Sequence, residues 1–367
     1  MHTWLATAAF GLEGLVKQEL QALGLDAKAE NGGARFEGTL EDAFKANLHL
    51  RTADRVLWVL KEEKAATFEA LFQVVSSIPW EDILPRNARF PVSGHCARSQ
   101  LMSISDCQAI TKKAIVERLK KKYDTKWFSE DGEEYAVQIT LHADIARVTL
   151  NTSGEALNRR GYRTWNGEAP LRETLAAAMV MLSPWRMDTP LHDPCCGTGT
   201  LLIEAAMIQS RKAPGLNRGF AMEKWQMSPK ASMQALRSEA QAQFDPSRIA
   251  GISGSDKDPG AIALCRKHIK QAGFERYIQV EEKDLRELSI PQQKIQFLTN
   301  PPYGERLGDK KIAEKVYRDL GELVRRHPGS RISLITAHHG FERFFGKKAQ
   351  KKRRLYNGRL ECEFLTY

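Results

Sequence analysis

Asn300-Pro301-Pro302-Tyr303 is the stretch whose residue types and spacing could do chemistry. It follows a short strand-like run, Lys294 to Thr299, and opens into Gly304-Glu305-Arg306-Leu307-Gly308. Two consecutive prolines fix the backbone just past the strand and remove two donors, so the Asn300 amide and the Pro301 carbonyl point outward from a rigid loop. Two acceptors so placed suit a planar amine. The lone pair of an exocyclic base amine is delocalised into its ring. Binding the amine hydrogens while leaving the lone pair aimed at a methyl donor would therefore assist methylation. Tyr303 offers a ring on which an extruded base can stack. The same four residues also describe an ordinary turn, because Asn-Pro favours turn initiation, and the surrounding elements have to decide between the readings.

Upstream, Leu191-His192-Asp193 leads into Pro194-Cys195-Cys196-Gly197-Thr198-Gly199-Thr200, and Leu201 to Met207 continues as a helix. Gly197 and Gly199 let the backbone approach a ligand, and the free amides of the following helix favour a carboxylate or phosphate. A dinucleotide fingerprint needs a third Gly or Ala where this chain has Leu202, which argues against a pyrophosphate ligand and a nicotinamide enzyme. Ile249 to Ile252 reads as a second strand, followed by Asp256, the acid a ribose diol requires, and by Asp258-Pro259 as N-cap and first residue of a helix ending at Gly273. A third strand, Tyr277 to Glu281, ends near Asp284, a carboxylate that could accept an adenine amine and reads equally as a surface acid. Gly197 and Asp256 lie about 59 positions apart, 256 minus 197, against roughly 20 in a compact nucleotide-binding unit. Residues 211–247, with Trp225, are therefore an insertion, expected where substrate is met. A helix around Ala313 to Val324, a strand from Arg331 to Thr336 and a hairpin centred on Asn357-Gly358 close the chain. Such an ending is methyltransferase-like more than dehydrogenase-like.

The N-terminal half has a different texture. Residues 1–60 give an extended opening, a helix carrying Leu12, Leu15, Val16, Leu20 and Leu23, a turn at Asn31-Gly32-Gly33, a helix from Leu40 to Leu48 and a strand from Arg55 to Leu60, which suggests a ferredoxin-like split motif. Residues 61–152 alternate a helix from Phe68 to Ile78, a strand from Arg89 to Ser93, a helix from Ser105 to Lys122 and a closing strand pair. Lys112 and Lys113 sit on the polar face of the long helix, where solvation and nucleic-acid contact compete. Residues 153–170 form a joint containing Arg159-Arg160-Gly161-Tyr162-Arg163-Thr164-Trp165, and a helix runs from Leu171 to Leu182 with Pro170 suited to its first turn.

Two or three domains fit 367 residues, and 42% hydrophobic with 27% charged residues excludes wholesale disorder. The net charge of +10 favours nucleic acid or an anionic surface as partner. Lys351, Lys352 and Arg353 belong to a C-terminal cationic cluster that could carry phosphate contacts. No basic leader and no apolar run of about 18 residues is present, so a cytoplasmic location without membrane contact is expected. The cysteines lack zinc or disulfide spacing, Cys195-Cys196 reads as structural, and His338-His339 and His95-Cys96 read as ordinary residues, so no metal is expected.

Taken in order, Asp193 to Thr200, Gly254-Ser255-Asp256 and Asn300-Pro301-Pro302-Tyr303-Gly304 resemble class I S-adenosylmethionine-dependent methyltransferases that modify base amines. Together with the ferredoxin-like opening, Arg159 to Arg163, Ala169 to Ala176 and Ala213 to Arg218, the chain resembles the THUMP-domain guanine-N2 RNA methyltransferases, the 23S ribosomal RNA branch most closely. The resemblance implies a Rossmann-like α/β methyltransferase domain over 171–367, preceded by an α+β ferredoxin-like unit and a THUMP domain that holds RNA. It implies S-adenosylmethionine as cofactor, with Gly197 and Gly199 at its methionine end, Asp256 on its ribose, Asp284 near its adenine, and Thr174, Asp193, Cys195, Thr198 and Asn300 completing the site. Asn300, Pro301 and Tyr303 position the target base, while Arg159, Arg160, Arg163, Lys112, Lys113, Lys351, Lys352 and Arg353 are the expected RNA contacts. The expected partner is 23S ribosomal RNA or an assembling large-subunit particle. Some ribosomal members carry a second methyltransferase domain that this sequence lacks, so a single methylated site is expected. Transfer RNA as substrate, adenine-N6 methylation of DNA and a non-catalytic RNA-binding role are the alternatives.

Overall fold

The computed structural model describes the chain apart from residues 126, 164–170, 292–293 and 305–308. The expectations placed on Thr164, Trp165, Ala169, Pro170 and Glu305 to Gly308 lie outside the described residues.

The N-terminal half comprises β1 (His2–Thr7), α1 (Glu13–Ala22), β2 (Ala27–Glu30), β3 (Gly33–Gly38), α2 (Leu40–His49), β4 (Arg55–Lys64), α3 (Phe68–Ser76), β5 (Val92–Ala97), α4 (Ile104–Tyr123), β6 (Val137–His142) and β7 (Ile145–Asn151). Local chemistry sets these limits: Thr39 and Asp42 close a capping box on α2, and the Thr67 and Ser103 hydroxyls accept from the first turns of α3 and α4. Val137, Ile139 and Leu141 alternate inward along β6.

These strands make one sheet, in the order β2-β3-β1-β4-β7-β6-β5. β4 is the seam, antiparallel to β1 on one side and to β7 on the other. A domain boundary at residue 60 therefore falls inside β4, which runs on to Lys64. The strand expected over 89–93 is displaced to Val92–Ala97, and only an isolated bridge from Arg89 to Glu134 precedes it.

The second half contains α5 (Glu173–Leu182), β8 (Leu191–Asp193), α6 (Thr200–Gln209), α7 (Lys230–Ala242), β9 (Ile252–Asp256), α8 (Pro259–Ala272), β10 (Ile278–Glu282), β11 (Gln296–Thr299), α9 (Asp309–Arg326), β12 (Arg331–Thr336), α10 (Phe341–Phe345), β13 (Lys351–Asn357) and β14 (Leu360–Thr366). Its sheet order is β10-β9-β8-β11-β12-β14-β13, parallel from β10 to β12 and antiparallel at β14 and β13. The order reverses between β8 and β11, and in open α/β sheets ligands bind beyond the carboxyl ends of the strands at such a point. The Asp193 turn and the Asn300 loop leave those two strands side by side.

The hairpin turn is one residue later than expected, since Asn357 pairs with Leu360 and leaves Gly358 and Arg359 as the loop. The strand expected over 249–252 instead begins at Ile252, because Gly251 takes a positive φ of 69° and turns the chain into it.

The insertion is also placed differently. Phe220, Met222, Trp225, Met233 and Ala240 are buried in the core of the N-terminal half. Trp225 stacks on Tyr135 at 5.0 Å and donates from its indole to the Glu134 carbonyl at 2.9 Å. Each large apolar side chain so removed from water contributes about 1.5–3 kcal/mol. Residues 211–247 are therefore a strap between the two halves, and not a segment spread over the ligand cleft.

Candidate active site

Three short segments from β8, β9 and β11 build the site. After β8, Gly199 takes a φ of +85° as the N-cap of α6 and supplies no side-chain cap, so the first amides of the helix are left for a ligand. A Cβ on Gly199 would stand 2.6 Å from the Cys265 sulfur, so only glycine fits there. The Asp256 carboxylate, at the end of β9, accepts from the Gly197 amide at 2.9 Å and from the Asp258 amide at 3.0 Å. It braces the glycine turn and keeps acceptor sites for a diol.

A cleft of about 430 Å³ opens along this turn, and Asp193, Gly197, Thr198, Thr200, Leu171 and Asn300 are among its lining residues. A second cleft of about 220 Å³ adjoins it through Cys195 and is lined by Asp256, Asp284, Leu285 and Pro302. Thr174 lines neither; its hydroxyl lies 3.5 Å from the Asp54 carboxylate of the N-terminal half.

Electrostatics divide the site. Burial pushes the Asp193 carboxyl up to about 7, with further repulsion from Asp256, against the stabilising bond from the Cys195 amide at 3.1 Å. That carboxyl is poised to meet a cationic ligand group. Burial drives the Cys195 thiol far above its ordinary value, and the contact with Cys265 together with burial does the same for Cys196, so neither is a nucleophile. The Asp284 carboxylate is gripped by the Arg286 guanidinium at 2.9 and 2.7 Å, which holds it below the usual carboxylate range. Asp284 thus lines the second cleft as half of an ion pair, and its carboxylate oxygens keep lone pairs that could accept an adenine amine. Burial lowers His192 to about 4, so it is neutral between the Ser253 and Ser255 hydroxyls.

At the acceptor loop the Tyr317 hydroxyl donates to the Pro302 carbonyl at 2.8 Å and ties the loop to α9. The Tyr303 hydroxyl donates to Asn300 Oδ1 at 2.5 Å, fixing which way that amide faces. An oxygen so engaged keeps a second lone pair for an incoming amine hydrogen.

The expected RNA contacts separate into three groups. Arg160 is buried, pairs with Glu204 at 3.4 Å and donates to the Leu157 carbonyl at 2.7 Å. Arg163 is largely buried, facing Glu173, the Thr200 hydroxyl and the Leu171 carbonyl. Both are corrections: a cation used to neutralise buried carboxylates has no free surface for phosphate. Lys112 is bound by the Glu130 carboxylate at 2.7 Å and lies over the Phe90 ring, and Lys352 is bound by Glu342 at 2.6 Å. Arg159, Lys113, Lys351 and Arg353 are exposed. These pairings are not announced by the sequence, because Glu204 lies 44 positions from Arg160, and Glu173, although close to Arg163 in the chain, meets it only through the placement of α5. Among the described residues no group of three or more His, Cys, Asp or Glu side chains could hold a metal, and no helix is long and apolar enough to cross a membrane.

Residues 160–366 match the family described as RMKL-like, methyltransferase domain; residues 3–57 match the RlmL ferredoxin-like domain and 65–151 the THUMP domain. The chain is 39% identical over 368 residues to YpsC of Bacillus subtilis (strain 168), a proposed RNA methyltransferase, covering 100% of this chain and 96% of that protein. It is 35% identical over 385 residues to the ribosomal RNA large subunit methyltransferase K/L of Syntrophotalea carbinolica, covering 99% of this chain and 53%, about half, of that longer protein. Among solved structures, SMU.472, a proposed methyltransferase complexed with SAH, is 40% identical with a TM-score of 0.95, covering 100% of this chain and 97% of that one.

Proposed function

Because the chain belongs to the RMKL-like methyltransferase family and is an S-adenosylmethionine-dependent RNA methyltransferase, we propose that it methylates the N2 amine of a guanine in 23S ribosomal RNA. The observation that carries this reading is the placement of the Asn300 acceptor, which lines the same cleft as the glycine turn. The cofactor supplies a methyl group activated by a cationic sulfur, which leaves as a neutral thioether.

The residues present fit that cofactor: uncapped amides at α6 for its carboxylate, Asp193 for its ammonium and Asp256 for its ribose. Asn300 Oδ1 and the Pro301 carbonyl accept hydrogen bonds from the two amine hydrogens and turn the nitrogen lone pair toward the methyl carbon; the nitrogen, cationic once methylated, then releases one proton to solvent, and the rate gain is orientational. Pro301 is buried and no described residue donates to its carbonyl, which leaves that acceptor for the substrate. The guanine must be unpaired or flipped out, since pairing hides its amine. The name of the large-subunit relative, of which this chain spans about half, supports 23S RNA as the substrate.

The test is transfer of labelled methyl from S-adenosylmethionine to total RNA of a deletion strain, with fractionation and nucleoside analysis. N2-methylguanosine in 23S RNA is expected. Label in transfer RNA would move the substrate, and N6-methyladenosine would refute the guanine assignment. Asn300→Ala should lower kcat by about 100-fold, the scale of a misplaced reacting group, while RNA binding persists.

A further inference from the structure

We propose that Phe10 and Tyr356, with Arg359 in the adjoining turn, form a platform that stacks an unpaired nucleotide of the RNA substrate beside the acceptor loop. The inference rests on the reading of RNA as substrate and adds a surface built jointly by the two halves of the chain.

Phe10 is 60% exposed, and a solitary exposed phenylalanine would mean nothing. This one is held in place. Gly11 beside it takes a φ of +90°, and a Cβ there would stand 2.7 Å from the Arg354 carbonyl, so the turn presses directly on the backbone of β13. The Gly11 amide donates to the Glu13 carboxylate at 2.8 Å, which fixes the turn at the start of α1. Phe10 then meets the Tyr356 ring edge-on, at 5.6 Å and 85°. That geometry leaves phenylalanine surface open to a third ring.

Position in the sheet gives the platform its use. β14 pairs with β12 only from Glu363 onward, opposite Thr336 at the carboxyl end of β12. Residues 357–362 therefore project past the same edge of the sheet from which the Asn300 loop leaves β11. Leu360, Tyr303, Ala8 and Ala9 all pack against one apolar cluster, so the platform and the acceptor loop share a support.

The charge is complementary to a phosphate backbone. Arg359 is exposed and has no ion-pair partner among the described residues. The neighbouring acids are engaged: Glu361 by Arg354 at 3.2 Å and by the Tyr356 hydroxyl at 2.9 Å, Glu13 by the Gly11 amide at 2.8 Å, and Glu363 lies opposite Arg354 across the hairpin. Cations beside open aromatic faces are what single strands require: stacking for bases of any identity and positive charge for the backbone.

The experiment measures binding of a fluorescent single-stranded oligoribonucleotide and of its duplex to the full chain, with S-adenosylhomocysteine affinity and thermal midpoint as controls. Phe10→Ala should weaken single-strand binding by roughly tenfold or more, leave duplex and cofactor binding unchanged, and raise KM for RNA with kcat kept. Phe10→Trp should restore binding. Gly11→Ala, which displaces the turn, should behave like Phe10→Ala. Arg359→Ala should flatten the logarithmic salt slope by about 0.7 for each phosphate that the arginine no longer neutralises. Wild-type affinity in Phe10→Ala, or an equal loss for duplex, overturns the platform. Should no RNA accept methyl while Phe10-dependent binding persists, the catalytic reading fails and the platform stands.

Discussion

Arg160→Met tests whether the arginine-rich joint is structural or an RNA grip. The Arg160 side chain is 2% exposed and its partner Glu204 is 0% exposed. Removing the guanidinium also takes donors from the Leu157 and Arg51 carbonyls. Glu204 would keep the Tyr162 hydroxyl at 3.1 Å and the field of Arg51, but one carboxylate oxygen already lacks a partner. Breaking a buried pair from one side costs about 3–5 kcal/mol, because the remaining charge is stranded. Burial already raises the Glu204 carboxyl, and losing Arg160 raises it further. A folded-state value above the unfolded one means the native protein holds the extra proton between the two. The penalty therefore grows as pH rises through the unfolded value toward the folded one and vanishes well below both. Urea unfolding of Arg160→Met should show the full loss near pH 8 and a smaller one near pH 5, and the double variant Arg160→Met, Glu204→Leu should recover most of it. A loss under about 1 kcal/mol, typical of an exposed pair, or weakened RNA binding with an unchanged midpoint, would refute the buried-joint reading.

Two further outcomes follow from the site and the strap. With Asp193 raised to about 7 in the free cleft, a bound ammonium favours its ionised form, so cofactor affinity should fall as pH drops below about 7. Calorimetry in buffers of different ionisation enthalpy should detect proton release on binding near neutrality, and Asp193→Asn should abolish both the release and the pH dependence. Trp225→Ala should cost about 3–5 kcal/mol for a buried aromatic, seen as a lower denaturation midpoint of the N-terminal half; a loss under about 1 kcal/mol would mean that the strap is not anchored there.

The chemistry-bearing segments were legible because their signals are local. The Asn-Pro-Pro-Tyr loop, the glycine turn and the Asp258-Pro259 cap each depend on a few adjacent residues whose backbone preferences are strong; the first two leave the strands between which the sheet order reverses, and the third follows the neighbouring β9. The expected α/β domain, the ferredoxin-like opening and the THUMP unit are likewise present. What sequence could not give is pairing across distance. Nothing near Arg160 announces Glu204, 44 positions on, and nothing near Trp225 announces Tyr135. A cation cluster read without its acids looks like a nucleic-acid surface. The ion pair of Asp284 was hidden for a different reason: Arg286 lies only two positions away, but the turn that folds it back is invisible in composition.

The strap and the joint, taken together, fix the N-terminal half against the methyltransferase sheet. The two halves exchange core residues. Leu12, the residue before α1, and Leu15 within it are buried among the side chains of the methyltransferase sheet, while Met222 and Trp225 of the strap are buried in the N-terminal core. Arg163 bonds to Thr200 and Leu171, which line the cofactor cleft, and Asp54 reaches Thr174 at the start of α5. Movement of one half against the other would expose apolar surface on both sides and strand buried charges at the joint, each a loss of several kcal/mol. The distance from the N-terminal sheet to the Asn300 loop is therefore set by the fold.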